Sequence, residues 1–151
     1  MDAALQELVL YRAIEEQVIR YARAVDDSRY EALADIFVPN VVVDFTKDHP
    51  EIPLIRSLDE LVAVLKSVTE KCASTQHLVG NLTVSTKGKD EADSRFYLRT
   101  LHIGKGERKN VVWDVMAEYH DLWQRDAHGW RIVRRVHRSL GELGTMEALV
   151  G

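Results

Sequence analysis

The sequence predicts an α+β fold in which a cone-shaped, curved, mixed or antiparallel β-sheet packs on three N-terminal helices. Helical periodicity is confined to the first half of the chain, strand-like runs separated by turn signals fill the second half, and no linker or repeat divides the two. Segregated helices and strands are typical of α+β folds. A chain of 151 residues, 46% of them apolar, can bury one core, so we expect a single domain over residues 1–151.

Three helices are predicted in the N-terminal half. Apolar residues recur at three- and four-residue steps between Asp2 and Val25, as in an amphipathic helix, with Leu5 and Leu8 in the apolar stripe. A capping box, in which a serine and a glutamate three residues later satisfy the first amides of a helix, occurs twice. The sequence therefore predicts further helices after Ser28 and after Ser57.

The strands follow from β-branched runs and turn signals. The second helix is expected to end near Phe37, and the valines between Asn40 and Phe45 predict the first strand. Gly80 is expected to mark a bulge, a device that aims side chains into sites. Three glycine-containing turns predict hairpins, at residues 87–89, 104–106 and 126–129. A curved sheet covered by helices leaves an apolar pocket beside the first helix, where a small ligand can bind.

Composition excludes several classes of function. The formal net charge of -4 argues against a nucleic-acid surface. The one basic cluster, which contains Arg131, Arg134, Arg135 and Arg138, is predicted to be a strand of solvated arginines. The first residues lack the pattern of a secretory signal and no uncharged run reaches membrane-spanning length, so neither a signal peptide nor a membrane span is expected. The lone Cys72 suits a reducing compartment, so we expect a cytoplasmic protein. Together with the charge and the lack of a long apolar run, this predicts neither a membrane nor a nucleic-acid partner.

Six histidines are the first candidates for chemistry, and their placement separates them. Three of them are predicted to be solvated, because they lie in a loop, in a turn or at a polar strand position; these are His49, His128 and His120. His137 lies near the end of the last strand, where a structural role is expected. His77 and His102 lie in runs that otherwise bury apolar groups. They are either core histidines satisfied by backbone partners or catalytic groups. Cys72 is predicted to lie on the opposite face from His77 as an inert thiol.

Asp26 completes the candidate set. It keeps the phase of the apolar stripe of the first helix, yet a carboxylate at a helix C-terminus is disfavoured by the helix dipole. Asp26 therefore either caps the next helix or is held by another group. An aspartate with His77 and His102 is a proton-transfer set, because the carboxylate fixes the tautomer of an imidazole. An iron-binding facial triad is the alternative, but the compact ligand spacing of many such sites is absent, so no metal is expected.

Three segments, Tyr21 to Asp26, Thr75 to Gly80 and Leu98 to His102, resemble the scytalone dehydratase-like branch of the SnoaL-like, nuclear-transport-factor-2-like superfamily. The resemblance spans the chain from the first helix to about Leu140. It implies an aspartate and two histidines working without metal or organic cofactor in a deep apolar pocket of a cone-shaped α+β barrel, cystatin-like in outline. It extends to dehydrochlorinases, which keep the Asp–His pair and eliminate a different leaving group.

This chain departs from the scytalone dehydratases at the positions that recognise substrate. Val25 and Phe45 stand where those enzymes use two tyrosines, and Ala117 and Tyr119 stand where they use a serine and an asparagine. A replacement hydroxyl could come from Tyr119 or from the other tyrosines predicted for the pocket, Tyr21 and Tyr97. The departures argue against scytalone as the substrate and predict a wider, more apolar pocket.

The resemblance and the candidate residues together predict a cofactor-independent lyase acting on a small, mostly apolar cyclic substrate. His77, oriented by Asp26, is expected to remove a proton from carbon, and His102 to donate a proton to the leaving hydroxyl. The sequence leaves open which of the two histidines contacts Asp26. An isomerase or polyketide cyclase of the same fold, and a non-catalytic ligand-binding or dioxygenase-small-subunit-like module, are the alternatives. The open face of the sheet predicts a homo-oligomer, either a dimer or a trimer.

Overall fold

The computed structural model describes residues 1–151 and contains three α-helices and five β-strands. The helices are α1 (Ala3–Asp26), α2 (Leu58–Thr69) and α3 (Met146–Val150). The strands are β1 (Phe37–Asp44), β2 (Cys72–Thr86), β3 (Glu91–Gly104), β4 (Val112–Asp126) and β5 (Gly129–Leu143). Short 3₁₀ helices lie at Tyr30–Asp35 and Gly106–Arg108. No helix is both long enough and apolar enough to cross a bilayer.

The five strands form one curved, mixed sheet in the order β1-β5-β4-β3-β2. Strands β2 to β5 are antiparallel neighbours, whereas β1 pairs in parallel with β5. The predicted α+β class is therefore confirmed. The bulge predicted at Gly80 is present as well, because the β2–β3 register shifts between Gly80 and Thr83 and Asn81 adopts a positive φ of 54°.

Helix α1 packs mainly against β2 through a buried stripe in its C-terminal half. Asp2 caps its first turn by accepting a hydrogen bond from the N–H of Leu5 at 2.8 Å. The stripe begins only at Ile14, since Leu5 and Leu8 are exposed. The prediction that Leu5 and Leu8 belong to the buried stripe is therefore wrong. The first turns of α1 have the apolar periodicity of an amphipathic helix, but no other element covers that face.

The two predicted capping boxes have different outcomes. Ser57 begins α2 as expected, because its Oγ accepts from the Glu60 N–H at 3.2 Å while the Glu60 carboxylate accepts from the Arg56 N–H at 2.7 Å. Ser28 does not cap a second α-helix. It adopts a positive φ of 56° and ends α1, and its N–H donates to the Val25 carbonyl at 3.1 Å. The short 3₁₀ helix that follows leaves room for β1 to start at Phe37.

The prediction that all four arginines of the basic cluster are solvated is wrong for Arg135, which is buried. Its side chain is 1% exposed and pairs with Asp121, which is fully buried, through Nε–Oδ1 and Nη2–Oδ2 distances of 2.7 and 2.8 Å. Burial opposes the charge, but Asp121 keeps the pKa of Arg135 above its usual value. The guanidinium carbon lies 4.2 Å from the Tyr21 ring centroid and 4.4 Å from that of Tyr119. Arg138 is exposed and Arg134 half-exposed, and both pair with carboxylates as predicted, whereas Arg131 pairs with Asp126 but is only 13% exposed and is not solvated.

Cys72 also lies differently from its predicted position. The β2–β3 register shifts between Cys72 and Ser74, so the simple alternation of faces along β2 is interrupted. Cys72 packs with Trp113 and Val115 on the inner side of the sheet, the side that His77 also faces. Burial raises the pKa of its thiol, in keeping with an inert structural cysteine.

The buried ion pair yields a prediction about stability. Asp121→Asn removes the charge that compensates Arg135 and is expected to lower the free energy of unfolding by about 3–5 kcal/mol. The double variant Asp121→Leu/Arg135→Met is expected to lose less than the single variant, because no unpaired charge remains in the core. Urea unfolding followed by circular dichroism measures both. A double variant that is less stable than Asp121→Asn would contradict this account.

Candidate active site

A mostly apolar cavity lies between the concave face of the sheet and the helices. Its volume is about 90 Å³, and 11 of its 17 lining residues are hydrophobic. The six others are two threonines and four histidines, namely Thr69, Thr100, His49, His77, His102 and His137. Met146 of α3 lines the cavity too, so the C-terminal helix forms part of its wall. An apolar cavity with a few polar groups is the usual form of a small-molecule binding site.

Asp26 and His77 form a hydrogen-bonded pair in this cavity. Asp26 Oδ1 accepts from His77 Nδ1 at 2.6 Å and from Thr75 Oγ1 at 2.9 Å, while Oδ2 accepts from the His77 backbone N–H at 2.9 Å. The two side chains are 19% and 7% exposed. Burial opposes ionisation, but the hydrogen bonds from His77 and Thr75 lower the pKa of Asp26. These donors from β2 hold the carboxylate at the unfavourable end of α1.

The tautomer of His77 follows from its partner. An ionised carboxylate only accepts hydrogen bonds, so the proton of neutral His77 resides on Nδ1. Nε2 has no protein partner and is the nitrogen that a ligand in the cavity can reach. The pair therefore presents an imidazole lone pair to the cavity, with a carboxylate behind it to stabilise the imidazolium that forms on protonation.

His102 lines the cavity but does not contact Asp26. Its Nδ1 lies 3.0 Å from the Trp113 carbonyl oxygen, and its ring stacks on the indole with centroids 4.5 Å apart. Because a carbonyl only accepts, Nδ1 carries the proton and Nε2 is left as an acceptor. Burial lowers the pKa of His102 to about 4. In the β2–β3 register His77 pairs with Thr100, two residues from His102, so the imidazoles are diagonal neighbours.

Four of the predicted pocket residues line the cavity: Tyr21, Val25, Phe45 and Tyr119. Ala117 is buried on the same strand but does not reach the cavity. The placement of Tyr97 is wrong. It is 47% exposed, because it alternates along β3 with the buried Phe96 and Leu98 and therefore points to the outer face.

Two histidines that sequence reasoning set aside also line the cavity. His137 was expected to be structural, yet its Nδ1 pairs with Asp48 Oδ2 at 3.0 Å and its ring reaches the cavity wall. His49 was expected to be solvated, but its side chain is only 13% exposed, lying between Glu51 and Glu142. His137 shares strand parity with Arg135, and because the sequence predicted that arginine to be solvated, parity gave no signal that His137 faces the cavity.

Two other histidines lie away from the cavity. His128 is exposed in the β4–β5 turn, and His120 is one-third exposed beside Asp93 on the outer face. No three histidine, cysteine or acidic side chains are grouped so that they could hold a metal ion. The facial-triad arrangement is therefore not formed, since His102 bonds to a backbone carbonyl rather than converging on Asp26.

Comparisons with known proteins place this geometry in a family. The model of the SnoaL-like domain matches residues 6–136. The chain belongs to the SnoaL-like domain family. An uncharacterised protein of Mycobacterium tuberculosis is 27% identical over 127 residues, which is 82% of this chain and 80% of that protein.

Solved structures share the fold of this SnoaL-like protein at lower identity. A protein of Novosphingobium aromaticivorans, provisionally described as a scytalone dehydratase, has a TM-score of 0.81 and 22% identity, covering 91% of this chain and 89% of that one. A type 3 hexachlorocyclohexane dehydrochlorinase of Novosphingobium barchaimii has a TM-score of 0.78 and 14% identity, covering 95% and 94%. The resemblance to the SnoaL-like, nuclear-transport-factor-2-like superfamily is thus confirmed.

The lowered pKa of His102 predicts a pH-dependent stability. His102 binds its proton at about pH 4 in the folded state and near pH 6.5 when unfolded. The unfolded chain therefore binds more protons between these values, and stability falls as the pH falls through this window. The loss from this group is expected to be about 2 kcal/mol at pH 5. Burial also lowers the pKa of His137, which acts in the same direction.

Urea unfolding at pH 7 and pH 5 measures this effect in the native protein and in His102→Leu. The variant is expected to lose part of the difference between the two pH values, because Leu cannot take up a proton in the unfolded chain. His128→Asn, in the exposed turn, serves as the matched control and is expected to keep the native difference. An unchanged pH difference in His102→Leu would contradict burial of a neutral imidazole.

Proposed function

We propose that this SnoaL-like protein is a cofactor-independent lyase that eliminates water, or a comparable leaving group, from a small, mostly apolar ring compound. One observation carries the proposal: the Asp26–His77 pair, 2.6 Å apart, offers a free Nε2 to an apolar cavity. A positioned imidazole with a carboxylate behind it is a general base suited to neutral pH. The fold shared with a dehydratase and a dehydrochlorinase supports this reaction class.

In the proposed reaction His77 Nε2 takes a proton from a carbon next to a carbonyl. The electron pair of the broken C–H bond forms the new C=C bond, and the C–O bond to the neighbouring hydroxyl breaks. The proton now on His77 Nε2 passes to the departing oxygen, so that the products are an unsaturated ketone and water. Asp26 remains ionised throughout and stabilises the transient imidazolium.

His102 takes a different role from the one predicted from sequence. A proton donor must be protonated at working pH, and an imidazole whose pKa is about 4 is almost entirely neutral there. In the proposal His102 Nε2 accepts a hydrogen bond from the leaving hydroxyl and orients it, and His77 both removes and returns the proton. His102 is thus a positioning group for the hydroxyl.

The size and polarity of the cavity support a compact ring as substrate. The volume of about 90 Å³ is below the ~150 Å³ of an apolar cavity that admits benzene. A single six-membered ring therefore requires the wall to move outward, and Met146 on the short α3 lines that wall. No arginine or lysine lines the cavity, so an uncharged compound is favoured over an anion.

The test uses 3-hydroxycyclohexanone, a minimal cyclic β-hydroxyketone. The native protein is expected to convert it to cyclohexenone, seen as ultraviolet absorbance and as the loss of one water in the product mass. His77→Asn is expected to lower the rate by about 10²- to 10⁴-fold, because it removes the base. His128→Asn is the control and is expected to retain the native rate.

The outcomes separate the competing functions. A product of unchanged mass indicates an isomerase that returns the proton to carbon, and chloride release from 3-chlorocyclohexanone without dehydration indicates a dehydrochlorinase. Native protein without turnover of either compound, or a His77→Asn variant at the full native rate, would overturn the proposed mechanism. A non-catalytic binding module is expected to give the first of these results.

We also propose that the outer face of the sheet pairs with further copies of this chain. The exposed apolar side chains of that region, Leu78, Tyr97, Val112, Leu140 and Leu143, surround the bidentate pair of Arg99 with Asp114. Exposed apolar patches on a protein surface mark interaction sites, and the ion pair leaves no unpaired charge among these side chains. Leu143→Glu is expected to shift the native dimer or trimer toward monomer in light scattering. A native protein that is monomeric at all concentrations would overturn this proposal.

A further inference from the structure

The cavity contains a second carboxylate–imidazole pair that the proposed elimination does not use. Asp48 follows β1 and His137 lies on the inner face of β5, and Asp48 Oδ2 accepts from both His137 Nδ1 at 3.0 Å and the Ser139 N–H at 2.8 Å. The side chains are 16% and 5% exposed. The arrangement repeats that of Asp26 and His77, where the carboxylate also accepts from the imidazole Nδ1 and from a backbone N–H.

The loop that carries Asp48 is held in place by its own hydrogen bonds. The N–H groups of Asp48 and His49 both donate to the Phe45 carbonyl, at 3.1 and 2.8 Å, and the N–H of Ile52 donates to the His49 carbonyl at 2.9 Å. Asp48 is therefore aimed at β5 by a tight turn rather than by a freely moving surface loop.

Nε2 of His137 has no protein partner. Nδ1 is occupied by Asp48, and the rings that surround the imidazole, those of Phe45, His49 and Tyr119, lie 5.2, 5.8 and 5.5 Å away between centroids. The proton is on Nδ1 because the carboxylate only accepts, so Nε2 presents a lone pair to the cavity. His49 differs, since both of its ring nitrogens lie beside carboxylates.

A buried acceptor without a partner lowers stability unless something donates to it. His137 Nε2 faces the cavity and has no protein partner, so a ligand that displaces solvent from this atom must bring a hydrogen-bond donor of its own. A hydroxyl group is an uncharged donor that a small, mostly apolar ring compound can carry, and it matches the proposed hydroxyketone substrate. A carbonyl oxygen does not suit this position, because two acceptors would face each other.

The two pairs lie at different ends of the cavity. His77 is on β2 and His137 on β5, with β3 and β4 between them in the sheet. Along the wall the rings of Tyr21 and Tyr119 separate them, with successive centroid distances of 6.1, 6.4 and 5.5 Å from His77 to His137. Curvature of the sheet turns both imidazoles toward the same hollow. Both imidazoles line the same cavity, so a ligand that fills it is bordered by His77 on one side and by His137 on another.

We propose that Asp48 and His137 form a second ligand-binding site within the cavity, which accepts a hydrogen bond from a hydroxyl group on the far side of the substrate ring from the carbon that His77 deprotonates. The substrate is then a ring with an uncharged hydroxyl remote from the reacting bond. The inference rests on the proposed lyase function for this orientation, whereas the hydroxyl site itself can be tested by binding alone.

The test compares two non-reacting ligands of equal size, 4-hydroxycyclohexanone and 4-methylcyclohexanone. Affinities are measured by calorimetry for the native protein and for His137→Asn, which keeps an N–H for Asp48 and removes the atom at the position of Nε2. The variant is expected to bind the hydroxyl compound about tenfold more weakly, because a buried hydroxyl loses its acceptor. Its affinity for the methyl compound is expected to change less than about twofold. His120→Asn, on the outer face, is the matched control and is expected to change neither affinity.

A second measurement does not depend on the variant folding. In the native protein the ¹⁵N resonance of His137 Nε2 is expected to shift on addition of 4-hydroxycyclohexanone and to stay unchanged with 4-methylcyclohexanone. Equal losses of affinity for both ligands in His137→Asn, no loss for either, no binding of either to the native protein, or an unmoved His137 resonance would overturn the proposal.

The result separates this site from the proposed reaction. If the hydroxyl preference depends on His137 but 3-hydroxycyclohexanone is not turned over, the binding site stands and the lyase function fails. If turnover depends on His77 but the hydroxyl preference survives in His137→Asn, the lyase stands and the second site fails.

Discussion

The shape of the cavity depends on the ion pair between Arg135 and Asp121. The guanidinium lies under four aromatic rings drawn from α1 and from strands β1, β3 and β4, those of Tyr21, Phe37, Phe96 and Tyr119. Two of these, Tyr21 and Tyr119, form cavity wall between His77 and His137. A charge at this point requires Asp121 to neutralise it, and cation–π contact then fixes the rings around it. The same pair therefore ties the helix to the sheet and sets the spacing of the groups that face a ligand.

Asp26 shows how a local conflict in the sequence identified a site. The last residue of α1 is where the helix dipole disfavours a carboxylate, and only donors from outside the helix can compensate. β2 supplies them through Thr75 and through two N–H groups of His77. The odd placement of Asp26 indicated that it needed a partner outside the helix, but the sequence left open whether His77 or His102 supplies it. Resemblance to a known family supplied the same residues independently.

Local patterns predicted the elements, and long-range geometry accounts for most of the errors. The periodicity of α1, the capping box at Ser57 and the bulge at Gly80 involve neighbours a few residues apart. The pairing of Asp48 with His137 joins residues 89 positions apart and exists only because the sheet curves. Burial of Arg135 likewise depends on Asp121 across the β4–β5 pair. The prediction that Tyr97 lines the pocket is wrong for a local reason. Side chains alternate along β3, so the pattern that places His102 on the inner face places Tyr97 on the outer face.

Three of the four cavity imidazoles carry their proton on Nδ1, yet they are not equivalent. His77 and His137 are backed by carboxylates, whereas His102 is backed by a neutral carbonyl. A carboxylate stabilises an imidazolium far more than a carbonyl does, and burial lowers the pKa of His102, which has no carboxylate behind it. His137 has a carboxylate behind it, but burial lowers its pKa as well, and in the proposed orientation it meets a hydroxyl rather than an acidic carbon. The chemistry at each end of the cavity is therefore decided by the group behind each ring, together with the bond of the substrate that lies in front of it.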